Sequence, residues 1–175
     1  SLGSLAADGY TEIRFAGGTW DFGGNRAAAL VVFRAPRLTP EAVARFYAES
    51  ARAANRTQVT GESTPTLAGR QVRRLDSTTG PRIQTVVVWP AGDPDVVNVV
   101  ITNDLPDPKI EAVEGVGKAP SYRGIAYVVI EDLALAGFGN RVPQFTFEVV
   151  RPAQGEFADS VYDLQRSVRA VAMIP

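Results

Sequence analysis

The amino-acid sequence predicts an α+β fold, an antiparallel sheet with one helix packed across it. Three observations carry this. A single stretch, Thr39 to Asn55, has apolar residues at helical spacing, with Val43, Phe46, Tyr47 and Ala51 on one face and Arg45, Glu49, Arg52 and Arg56 elsewhere. Two apolar or alternating runs precede it, Glu12 to Phe15 and Ala28 to Phe33. Three more follow it, Gln71 to Leu75, Ile83 to Trp89 and Val96 to Thr102, with short links between them. The order β-β-α-β-β-β with short connections fits an antiparallel sheet under one covering helix.

Each element has its own local signals. Gly17 to Gly24 is expected to turn the first strand into the second. Thr39 is placed to cap the helix, Pro40 suits its first position, and Glu41 favours the positive end of the dipole. Asn55 is expected as the C-terminal cap, which also accounts for the glycosylation-like triplet Asn55-Arg56-Thr57. Ser77-Thr78-Thr79-Gly80-Pro81 and Ala91-Gly92-Asp93-Pro94 supply turn chemistry between the later strands.

Asp104-Leu105-Pro106-Asp107-Pro108 marks a boundary, since two prolines in three residues cannot continue a central strand. The chain is therefore divided into 1–103, the α+β unit, and 104–175, a smaller β-rich segment ending in a helix. In the second part, Lys109 to Val113 is expected to form a short helical turn. Ile125 to Ile130 and Gln144 to Val150 are expected as strands, the latter with Phe145, Phe147 and Val149 on one face. Ser160 and Asp163 resemble a capping pair, and Val161, Leu164, Val168 and Val171 form a helical stripe.

Composition narrows function. The chain has 175 residues, 45 % apolar and 21 % charged, which is ordinary for a globular protein. Its net charge of −1 disfavours a direct nucleic-acid partner held through phosphates. No apolar run reaches membrane-spanning length, and Ser1 to Gly9 lacks the basic and apolar parts of a signal peptide, although a leader removed before Ser1 would leave the same start. With neither histidine nor cysteine, the chain can build no Ser-His-Asp triad, Cys-His dyad or His/Cys zinc site. The expectation is a protein that is not an enzyme and has no cofactor or metal.

Candidate chemistry elsewhere reads as structure. Gly115-Val116-Gly117-Lys118 lacks the upstream glycine and following Ser or Thr of a phosphate loop. Adjacent Glu131 and Asp132 point to opposite faces of a strand and make no catalytic pair. Asp93, Asp95 and Asn98 are oxygen-rich but lack the spacing of a calcium loop. Trp20, Phe22 and Trp89 are candidates for an apolar pocket, against the default of core packing.

The stretch Tyr122 to Pro152 contains Arg123-Gly124-Ile125-Ala126-Tyr127-Val128-Val129-Ile130-Glu131-Asp132-Leu133, then Phe138-Gly139-Asn140-Arg141-Val142-Pro143-Gln144. It resembles the tail-tip hub proteins of gene transfer agents, phage-like particles of some bacteria, in which an R-G-x-A-Y-V-V-x-E-x-L block precedes F-G-N-R-[VI]-P-Q and a second strand. The resemblance covers roughly residues 104–175, beginning at Leu105-Pro106-Asp107-Pro108. Tyr10 to Phe15 with Gly17-Gly18-Thr19 resembles the strand that stands just before the Pro-Asp-Pro block in that family, so the rest of 1–103 would be an insertion. The family segment belongs to a much longer polypeptide.

What the resemblance implies is a structural subunit of a tail hub or baseplate. It would sit at the tail tip, partnered by other tail or baseplate proteins and by copies of itself, with a trimer as the oligomer the resemblance implies. Tyr122, Arg123, Phe138, Gly139, Asn140, Arg141 and Pro143 would be its interface. The 138–143 turn reads equally as an intradomain connection. The alternative is an extracytoplasmic small-ligand-binding or lipoprotein-like module carried by residues 1–103, with the Trp20, Phe22 and Trp89 pocket as its site.

Overall fold

The computed structural model describes residues 3–21, 24–67, 70–104, 109–112, 126–130, 133–136, 144–148 and 168–173. The fold is α+β. After a short helix α1 (Gly3–Ala7) come β1 (Arg14–Asp21), β2 (Ala27–Arg34), α2 (Pro40–Ala53), β3 (Thr57–Ser63) and the two-residue strands β4 (Thr66–Leu67) and β5 (Arg70–Gln71). Then come β6 (Arg73–Thr79), β7 (Arg82–Pro90) and β8 (Val96–Asn103). Later strands are β9 (Lys109–Ala112), β10 (Ala126–Ile130), β11 (Leu133–Ala136), β12 (Gln144–Glu148) and β13 (Val168–Met173).

The main sheet runs β12-β1-β2-β8-β7-β6-β3, and every pairing in it is antiparallel. Its centre is β2, β8 and β7, whose near-continuous Val, Ala and Leu sequences leave no polar face to turn toward water. Both faces are accordingly buried. One carries Phe15, Phe33, Leu75, Val86, Val88, Val97 and Val99 and packs beneath α2. The other carries Ala28, Leu30, Val32, Val87, Trp89 and Val100, none more than 3 % exposed.

Helix α2 is built as its sequence dictates. The Thr39 hydroxyl accepts a hydrogen bond from the Ala42 N–H at 3.2 Å, with Pro40 opening the helix and Glu41 in its first turn. Val43 is wholly buried and Phe46, Tyr47 and Ala51 are partly buried against the core, while Ala42 and Ala48 are buried beside them. Phe33 is the hub of this contact. Its ring centroid lies 5.4 Å from that of Phe15, 6.3 Å from Phe46 and 6.2 Å from Tyr47, the last two edge-on.

Several local expectations are corrected. Strand β1 begins at Arg14, because Glu12 has φ 54°, and it runs through Gly17 and Gly18 to Asp21, so the expected 17–24 turn is shortened. The cap of α2 is Ala54, whose N–H donates to Ser50 and Ala51 carbonyls, and the left-handed residue is Arg56 rather than Asn55. Ser77 to Thr79 belong to β6. The turn after them is only Gly80-Pro81, where a positive φ at Gly80 followed by proline is the type II′ pattern that suits hairpin twist.

The expected helical turn at Lys109 to Val113 is strand β9 over Lys109–Ala112, paired with β11. Its Lys-Ile-Glu-Ala alternation satisfies a period of two. The C-terminal stripe is likewise a strand where it is described, since β13 (Val168–Met173) pairs with β10 in the four-stranded sheet β13-β10-β11-β9. Spacing of three from Val168 to Val171 fits a helix, but β-branched residues and a waiting strand partner decide otherwise. Strands β10 and β12 fall where expected. No described helix is long and apolar enough to cross a membrane.

Two outcomes are expected. Phe33→Ala should cost roughly 3 to 5 kcal/mol and the partly exposed Phe46→Ala clearly less, measured by denaturant melting. A chain ended after Asp104 should bare the second sheet face and lose β12, giving a species that aggregates or binds a hydrophobic dye where the full chain does not.

Candidate functional site

The residues singled out from the sequence do not converge on one site. Tyr122, Arg123, Phe138, Gly139, Asn140, Arg141 and Pro143 lie outside the described residues, as do the 115–118 glycine motif, Glu131 and Asp132. Phe22 does too. Trp89 is 1 % exposed and so is a core residue on the second sheet face. Register places Trp20 opposite Ala28 on β2, whereas Trp89 stands opposite Asn98, which itself stands opposite Val32. The two tryptophan positions are thus three strands and four residues apart, roughly 20 Å, too far to wall one small pocket.

The Asp93 turn spends its oxygens on structure. Asp93 accepts from the Asp95 N–H at 2.9 Å and from Arg34 at 3.3 Å, and Asp95 accepts from the Arg37 N–H at 3.0 Å. Asn98 is buried within β8. These bonds tie the β7–β8 loop to the end of β2, which is the turn role.

What the fold does assemble is a cleft along the outer flank of α2. The helix lies across β7, β6 and β3, and a gap remains between its Ala44–Ala48 flank and the β3–β6 side of the sheet. The resulting cavity is about 330 Å³. Its floor and inner wall are apolar, from Leu75, Val86 and Val88 of the sheet and Ala44 and Ala48 of the helix. Alanines at these helix positions make the cleft, because longer side chains there would fill it. Arg45, Arg52, Arg73 and Arg74 line it together with Glu41 and Glu62, and each of these arginines is paired with a carboxylate.

The ion pairs around this cleft differ in grip. Arg74 holds Asp76 through two nitrogens, at 3.1 and 3.3 Å, and Asp76 also accepts from the Thr85 hydroxyl at 2.7 Å, a settled arrangement on the second sheet face. Arg73 meets Glu41 through one nitrogen at 3.1 Å, and Arg52 meets Glu62 through one nitrogen at 2.5 Å. Both of these pairs are exposed, Glu41 by 57 % and Arg52 by 54 %, so each adds little to stability and exchanges readily. Arg45 is engaged by Asp8 and, at 3.7 Å, by Glu49.

Tyr47 forms the inner end of the cleft and also borders a second, more polar cavity of about 410 Å³ beside the C-terminal end of α2. Its hydroxyl has no hydrogen-bond partner among the described residues. Burial pushes its pKa well above the ordinary value of 10, so it stays a neutral donor at every physiological pH.

None of this was singled out in the sequence. The α2 arginines read as a solvated face, and the opposite wall includes the end of β3, whose Thr-Gln-Val-Thr-Gly-Glu-Ser sequence has a single large apolar residue. The only available signal was the Thr57, Val59 alternation with Gln58 and Thr60.

One electrostatic consequence is measurable. A hydrogen bond from its own backbone N–H, with help from Arg73, holds the Glu41 carboxyl below its ordinary 4.5 despite partial burial. A depressed carboxylate stabilises the fold fully above its unfolded pKa and loses that contribution as pH falls through the folded one. Stability of the native chain should therefore decline in the acid range below about 4.5 more steeply than that of Glu41→Gln, as read by melting across pH. Compared with known proteins, the chain matches no family model and no curated protein.

Proposed function

We propose that this chain is a structural part of a phage-tail-like particle of the gene-transfer-agent type, a hub or baseplate component that works by contact rather than by turnover. The observation that carries this is the paired motif Arg123 to Leu133 and Phe138 to Gln144, which resembles the tail-tip hub. Its partners are other tail or baseplate proteins and copies of itself, its place is the tail tip, and the 138–143 turn with Tyr122 and Arg123 is its interface.

The arrangement of strands supports this reading. Strands of the resembling segment enter different sheets: β10 sits with β9, β11 and β13 in the four-stranded sheet, and β12 pairs with β1 at the edge of the main one. Strand β1 is the one whose sequence resembles the strand preceding the Pro-Asp-Pro block. Its register against β12, Gly18 to Phe147 and Trp20 to Phe145, joins the two regions of resemblance across the intervening residues. The α2-covered unit then stands as an insertion between them. An absence of histidine and cysteine fits a contact role as well.

An antibody raised against this chain should label the tail tip of particles purified from the source cells. Particles carrying their tail tube but no trace of the chain by mass spectrometry would overturn the proposal. With the protein present, changing Phe138 and Arg141 together to Ala should lower its incorporation; undiminished incorporation would remove the 138–143 turn from the interface.

A further inference from the structure

We infer that the cleft between α2 and the β3–β6 side of the sheet is a binding site for a small organic acid, an apolar body bearing one carboxylate. This goes beyond the assembly role and does not rest on it.

The cleft falls in the size range of small-molecule sites and combines an apolar floor with a few convergent donors. Three donors have capacity to spare. Arg52 and Arg73 each commit one guanidinium nitrogen to a single exposed carboxylate, leaving the planar fork of each unused. Tyr47 offers a hydroxyl with no partner among the described residues. A ligand carboxylate can take a bidentate bond from one of these arginines by displacing Glu41 or Glu62 into solvent. Because those pairs are exposed, the displacement costs little.

The donors select the ligand's head group: Arg45 and Arg74 are taken up by Asp8, Glu49 and Asp76, whereas Arg52 and Arg73 keep unused N–H groups for an acceptor such as a carboxylate. The floor of Leu75, Val86 and Val88 selects its body: a purely inorganic anion would leave that surface wet, and a cation would meet the arginines. An extended peptide added to β3 is disfavoured. The pairing of β3 with β6 shifts register between Val59 and Gly61, and such a bulge twists an edge away from further strand addition.

The test uses the full chain and 4-phenylbutyrate, titrated while backbone amide signals are followed by NMR. Saturable shifts are expected at Ala44, Ala48, Val86 and Val88. Arg52→Gln and Arg73→Gln together should weaken binding by about tenfold or more, and Tyr47→Phe by roughly two- to tenfold. Arg52 is exposed, Arg73 is one-third exposed with its guanidinium in a surface ion pair, and the third change removes only a hydroxyl, so the variants keep the fold; unchanged amide spectra without ligand verify it. The neutral 4-phenylbutyramide should bind at least about tenfold more weakly. Failure of 4-phenylbutyrate to give saturable shifts, equal binding of the amide, or indifference to the arginine changes would each overturn the inference. Shifts confined to Thr57–Ser63 would do the same, since they mark strand addition at the edge.

Discussion

The constraint that organises this molecule is that β2, β8 and β7 are apolar on both faces. Val31 and Phe33 point one way while Leu30 and Val32 point the other, and Val86 and Val88 are likewise backed by Val87 and Trp89. An antiparallel sheet is free to leave one face in water, but this one is not, because fully exposing a Val, Leu or Phe side chain forfeits about 1.5 to 3 kcal/mol. Helix α2 answers for one face, and its position follows from Phe33 and the rings gathered around it. The second face makes the same demand, with Leu30, Val87 and Trp89 each no more than 2 % exposed.

How far the sequence was legible follows from how each element earns its burial. Strands β2, β7 and β8 and helix α2 were readable because their own residues encode burial, by continuous apolar runs or by a 3.6-residue stripe with a cap. Strand β3 was not, because an edge strand with one partner is stabilised by its neighbour and its sequence needs only Val59 facing the core. Lys109–Ala112 and Val168–Met173 were misassigned for a related reason. Short segments carry both periods at once, and the choice is made by strands β11 and β10, which are remote in sequence.

The candidate site was invisible for a different reason. Its walls come from elements remote in sequence. Arg52 reads as surface charge and Glu41 as a helix-dipole residue, while Ala44, Ala48, Glu62 and Arg73 fit no pattern that marks a site. Only the packing of α2 against β3, β6 and β7 brings them around one apolar floor. By contrast, the tryptophans attract notice in the sequence, and β-sheet register separates them: Trp89 is spent on the core and Trp20 stands at a different corner of the sheet.

Strand β12 and the cleft also lie at opposite edges of the main sheet. From β12 to β3 the main sheet spans six strand intervals, which at about 4.8 Å each is roughly 29 Å. Strand β12 extends the sheet beyond β1, whereas the arginine-lined cleft opens over β6 and β3. Between them stands the doubly buried centre, and the described residues that line the cleft include none of β12. Any coupling between the two edges would have to pass through β7, β8, β2 and β1, whose packed side chains resist compression and so transmit strain rather than absorb it.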